Sequence, residues 1–166
     1  IVMARMTIKG TEEYALKLSK LGKAGREVAE KAIYGGAGMV ADQIKSNLNA
    51  APTVTEAENV KAYRTGGKSG ISKRQKEGLI QSFGITKIQD DGGFYNVKLG
   101  FDGYNHVKTR KYPKGQPNQL IARVMESGSS YMDKIPFVRP AVSQKRRAAQ
   151  EEMQKIIDEE SKRIMG

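Results

Sequence analysis

The sequence predicts an α+β domain: a small antiparallel sheet packed by two N-terminal helices and a long C-terminal helix. Three observations predict it. Residues 24–49 and the stretch from Pro140 to Met165 repeat apolar residues at helical spacing. Between them, Tyr95-Asn96-Val97-Lys98-Leu99-Gly100-Phe101 alternates at period two, as a half-buried strand does. An Asp90-Asp91-Gly92-Gly93 turn stands just before that run, which gives the strand a hairpin partner.

The elements follow in order. Residues 5–9 alternate weakly and suit a short strand. Gly10-Thr11 supplies a break and an N-cap, and Glu12 and Glu13 suit the positive end of a helix. Tyr14, Leu18 and Leu21 share one face of that short helix, which Gly22 ends. In the longer helix 24–49, Ile33, Ala37, Val40, Ile44 and Leu48 form an amphipathic stripe. Gly35, Gly36 and Gly38 lie inside it, each costing about 1 kcal/mol against alanine. They mark close approach of another helix or of a neighbouring subunit, or else a local kink. Asn49-Ala50-Ala51-Pro52 ends the helix.

Residues 51–78 have almost no large apolar side chains and read as a long surface loop. Phe83–Ile88 reads as a strand, Asp90-Asp91-Gly92-Gly93 as its turn, and Tyr95–Phe101 as the return. Residues 104–118 form a second loop, bearing Pro and Gly. Gln119–Ser127, with Leu120, Ile121, Val124 and Met125, suits one or two helical turns closed by Gly128. In Ile135-Pro136-Phe137-Val138-Arg139-Pro140-Ala141 two prolines hold the backbone extended up to Arg139. Pro140 then starts the last helix, where a missing N–H costs nothing. That helix buries Val142, Ala149, Met153, Ile156 and Ile164, with Glu160 the one polar residue on the stripe. Arg147 and Glu151 stand at i,i+4 and should pair.

At 166 residues the chain suits a single domain, 1–166. No apolar run reaches the roughly 18 residues of a membrane span, and no membrane role is expected. The opening Ile1–Met6 turns polar too soon for a secretory signal. With no cysteine there is no disulfide or thiolate metal site, which fits a reducing cytoplasm. The net charge is +11 and points to a polyanion or an acidic partner. The charge gathers in the two loops. Arg64, Lys68, Lys73, Arg74 and Lys76 lie in the first, and Lys108, Arg110, Lys111 and Lys114 in the second. Tyr63, Tyr104 and Tyr112 are interleaved with them and could stack on bases.

Catalytic patterns are missing. His106 has no Asp, Glu or Cys cluster near it in the sequence, which disfavours a metal site or a triad. Gly66-Gly67-Lys68-Ser69-Gly70 lacks the spacing and the flanking apolar elements of a phosphate loop. Asp90-Asp91 beside two glycines reads as a turn. No enzyme, cofactor or metal is expected.

The order of the pieces resembles a known family. A Lys9-Gly10 step leads into a short helix, and a second helix ends in Ile44-Lys45-Ser46-Asn47-Leu48 near a proline. Then come Gly78-Leu79-Ile80-Gln81-Ser82, a hairpin ending Val97-Lys98-Leu99-Gly100-Phe101, and Val124-Met125-Glu126-Ser127-Gly128-Ser129. Ile135–Ala141 and a terminal helix follow. Over roughly residues 6–165 this resembles the tail-component family of tailed bacteriophages, also described as tail-completion or head–tail joining proteins. Glu126 and Gly128, then Pro136, Phe137, Arg139 and Pro140, are its most specific positions. Arg139 could form a buried ion pair with Glu126 or meet another subunit. The loops 51–78 and 104–118 depart from the family pattern.

The resemblance implies a structural virion protein of a phage, prophage or phage-tail-like particle, assembled in the bacterial cytoplasm. It would form a ring, hexameric by tail symmetry, at the head–tail or upper-tail junction. Its partners would be copies of itself and tail tube, tail terminator or connector proteins. A basic loop facing the lumen would meet DNA in transit non-specifically, but high affinity there would hinder passage, so at least one of the two basic loops is expected at a protein interface. Two alternatives stand beside it: a tail terminator capping the tube, and a small basic nucleic-acid-binding protein.

Overall fold

The computed structural model describes residues 4–6 and 22–165. The elements are β1 (Ala4–Met6), α1 (Lys23–Ala50), α2 (Glu56–Thr65), α3 (Lys73–Ser82), β2 (Phe83–Ile85), β3 (Gln89–Asp91), β4 (Phe94–Phe101), α4 (Asn118–Ser127) and α5 (Val138–Met165). The fold is α+β, with a small antiparallel sheet and a long C-terminal helix. The short helix expected around Tyr14, Leu18 and Leu21 lies outside the described residues.

α1 and α5 form a long antiparallel pair. Lys31 meets Glu160 at 3.1 Å at one end, and Asn47 Nδ2 donates to the Phe137 carbonyl at 3.1 Å at the other. The stripe Ile33, Ala37, Val40, Ile44 and Leu48 is buried, as its spacing requires. The glycines serve this contact within the chain. A Cβ added at Gly35 would lie 2.6 Å from Ile156 Cδ1, and one at Gly36 2.6 Å from Met153 Cγ. Gly38 faces open space, and α1 runs unbroken.

β4 is the central strand, with β1 on one side and β2 and β3 on the other. Gly92 and Gly93 both take positive φ, 67° and 91°, as a two-residue turn that follows strand twist demands. Ile85 faces Leu99 and Gln89 faces Asn96, so residues 86–88 oppose only 97 and 98. That extra residue is a bulge. Thr86 closes it, donating its N–H to the Lys98 carbonyl and accepting the Lys98 N–H on its hydroxyl. Val97, Leu99 and Phe101 turn toward α1 and join the core.

Three expectations need correction. Residues 51–78 are not an unstructured loop, because α2 and most of α3 lie there. Both helices are short and polar, so apolar periodicity is a poor guide to them. Each starts on a capping box, Thr55 with Glu58 and Ser72 with Gln75. Second, α5 begins at Val138 rather than Pro140. Third, its buried line runs through Ala149, Met153, Ile157 and Ser161. Ile156 leans on Gly35 from the flank, Glu160 pairs with Lys31, and Ile164 is exposed. Arg147 and Glu151 do pair, at 2.9 Å.

Candidate functional site

The Glu126–Pro140 segment forms one device. Glu126 is the penultimate residue of α4, and its side chain is only 4% exposed. Gly128 follows with φ 74°, where a side chain is strained. A Cβ there would also come within 3.1 Å of the Lys134 N atom. The chain therefore turns back on α4. The Ser129 N–H donates to the Met132 carbonyl at 2.8 Å, and the Ile135 N–H to the Met125 carbonyl at 2.7 Å. This return brings the start of α5 against the Glu126 carboxylate. Phe137 and Val138 N–H donate to Glu126 Oε2 at 2.8 and 2.9 Å, and Arg139 N–H to Oε1 at 3.0 Å.

A helix leaves its first four N–H groups without internal partners. Here three of them point at one carboxylate, and the fourth position is Pro140, which has no N–H. The negative charge also opposes the positive end of the helix dipole. Converging N–H groups are the geometry of a helix start. They outweigh the preference of a residue before proline for extended backbone, which is why α5 begins two residues earlier than expected. Arg139 contributes chiefly through its backbone. Its Nε lies 3.9 Å from Glu126 Oε1, but its side chain is 79% exposed, so the pair is not a buried one.

Phe137 is 1% exposed and anchors the same junction. Its ring meets Phe101 edge-on at 5.8 Å, and Phe101 meets Phe83 at 5.1 Å. Three aromatics thus run from β2 through β4 to the start of α5.

The basic residues divide. In the first stretch, Lys76 Nζ donates to the Asn49 and Ala51 carbonyls at 2.5 and 2.8 Å, capping the C-terminus of α1. Lys68 Nζ donates to the Ser130 carbonyl at 2.9 Å, and Arg74 faces Glu56 at 3.7 Å. Lys76 is therefore an internal cap and not a free surface charge. The sequence hid this because the receiving carbonyls lie some 25 residues upstream. Arg64 and Lys73 are exposed.

The second stretch is an ordered ribbon. Tyr104 bridges to Pro117, Asn105 N–H donates to the Gln116 carbonyl, and Gln116 N–H to the Val107 carbonyl. Thr109 and Tyr112 exchange backbone hydrogen bonds around Arg110 and Lys111, which form the tip. Lys108, Arg110, Lys111 and Lys114 are all exposed. Gln75 of α3 ties down the base through the Gln116 side chain at 2.8 Å.

α2 is held to the rest of the chain mainly by Asn59, which exchanges two hydrogen bonds with Gly70. None of its residues is buried; Val60 is 49% exposed and Tyr63 89%. Gly66 is its left-handed C-cap, at φ 68°, which gives the glycine-rich segment a structural role. His106 is exposed. Among the described residues no group of three His, Cys, Asp or Glu is placed to hold a metal ion. No described helix is long and apolar enough to cross a membrane.

Comparison of the chain with protein-family models, with curated proteins and with solved structures returns no match.

Proposed function

We propose that this protein is a structural subunit of a tailed phage, prophage or phage-tail-like particle, forming a hexameric ring that joins or completes the tail at the head–tail or upper-tail junction. The observation that carries the reading is α2. A ten-residue helix is marginal in water by itself, and this one has no fully buried residue; Asn59, through two hydrogen bonds with Gly70, and the half-buried Ala62 hold its inner side. Val60 and Tyr63, three residues apart, put an apolar and an aromatic side chain on one exposed face. Such an arm suits a subunit that leans on its neighbour, and repeated head-to-tail contacts close into rings. The Glu126 junction supports the same reading, because a tiling subunit needs its C-terminal helix launched in a set direction.

Light scattering and negative-stain microscopy test this, on the chain alone and mixed with tail tubes and connectors from the neighbouring genes. The expected result is a six-membered ring, free or seated on a tube end. Val60→Asp with Tyr63→Asp should abolish the ring while leaving the melting temperature within about 2 °C, since both side chains are exposed in the monomer. A chain that stays monomeric and binds neither tube nor connector overturns the reading.

A further inference from the structure

The ribbon 104–117 holds its shape without using its charges. The hydrogen bonds that close it run between backbone groups, from Asn105 and Val107 to Gln116 and between Thr109 and Tyr112. Gly115, at φ 114°, makes the return so tightly that an added Cβ would collide with the Asn105 carbonyl. At the root, Asn118 Nδ2 donates to the Asp102 carbonyl at 2.9 Å. Lys108, Arg110, Lys111 and Lys114 therefore stand on a preorganised support, exposed, and none has an ion pair among the described residues. The sequence has no acid between Asp102 and Glu126, and Glu126 is buried against α5. The first basic stretch offers less, with Lys76, Lys68 and Arg74 already engaged.

The geometry points to this ribbon as a sequence-independent contact to the phosphate backbone of nucleic acid. Four cations without an ion pair among the described residues, on one hydrogen-bonded hairpin, match a polyanion of closely spaced charge, whose binding is driven by counterion release. Tyr104 is exposed, but it stands at the base of the ribbon opposite Pro117; between Lys108 and Lys114 the one aromatic is Tyr112, half-buried beneath the Lys111 ammonium, 5.6 Å from its ring centre. A protein partner would call for an exposed aromatic or aliphatic anchor at the tip; a phosphate backbone calls for cations alone. Contacts to phosphates position a duplex without reading its sequence, so unrelated sequences should bind alike. The inference stands on the ribbon itself and is independent of ring formation.

The test is fluorescence anisotropy of the full chain with labelled DNA duplexes of two unrelated sequences, at about 50 to 200 mM salt. Both duplexes should bind alike. Neutralising four phosphates contributes about −3.6 to the slope of log K against log salt, or about 150-fold across that range. Replacing Lys108, Arg110, Lys111 and Lys114 together by Ala should remove that share. Arg146→Ala with Lys155→Ala, on the exposed side of α5, should leave the slope unchanged. Gly115→Ala keeps every charge but distorts the ribbon, and should weaken binding several-fold. Circular dichroism establishes that each variant is folded. The inference is overturned by absence of binding, by an unchanged slope in the fourfold variant, or by wild-type affinity in folded Gly115→Ala. It is equally overturned if the fourfold variant loses self-association while its DNA affinity is unchanged, which would assign the ribbon to a second copy of the chain.

Discussion

Glu126 and Pro140 together account for the four N–H positions at the start of α5. The carboxylate accepts from Phe137, Val138 and Arg139, and the proline ring removes the fourth donor. This gives both residues of the motif a physical reason.

Removing the carboxylate should be costly. Glu126→Ala strands three donors at a buried junction, and should lower stability by roughly 3–5 kcal/mol; Glu126→Gln keeps one acceptor oxygen and should lose about 1–3. Arg139→Ala should change it by less than about 1 kcal/mol, because that side chain is exposed. Urea unfolding midpoints check the order, and equal effects at Glu126 and Arg139 would contradict it.

Phe137→Ala should cost roughly 3–5 kcal/mol, since the ring is fully buried at the end of the aromatic run. Thermal melting reads this directly. An unchanged melting temperature would mean that the ring does not hold α5 to the sheet.

The two glycines Gly36 and Gly38 should respond in opposite directions. Gly38→Ala meets open space and should stabilise by up to about 1 kcal/mol. Gly36→Ala drives a methyl into Met153 and toward the Ala149 carbonyl, and overpacking of that kind costs about 1–3 kcal/mol. Chemical denaturation of the two single variants decides.

Lys76→Met keeps the length of the side chain and removes its charge. It should destabilise by about 1–2 kcal/mol, because the last carbonyls of α1 lose a cationic cap. Lys73→Met, beside it and without an ion pair among the described residues, should be close to neutral. Similar losses from both would argue against the cap.

Acid should weaken the far end of the α1–α5 pair. The hydrogen bond from Lys31 holds the Glu160 carboxyl below its ordinary 4.5, with Arg163 adding to the effect. A lowered folded value means that the stabilisation is present above about pH 4.5 and is lost as pH falls through the folded value. The melting difference between wild type and Lys31→Met should therefore be larger at neutral pH than near pH 3. A difference independent of pH would remove Glu160 from this role.

Residue pattern alone determined a good part of this protein. The α1 stripe from Ile33 to Leu48, the Gly92-Gly93 hairpin and the Arg147–Glu151 pair are local features, set by helical period, turn chemistry and i,i+4 spacing. The α2 and α3 starts were legible too, as Thr55-x-x-Glu58 and Ser72-x-x-Gln75, although the polar composition of 51–78 concealed them. Tertiary structure alone decided the rest. Whether Gly36 meets a helix of its own chain, whether Lys76 is free or capping α1, and whether Glu126 binds an arginine side chain or three backbone N–H groups all depend on where distant segments come to lie. A carboxylate is equally suited to a guanidinium and to a helix N-terminus. Only the return at Gly128, which brings residues 137–139 beneath it, makes the choice.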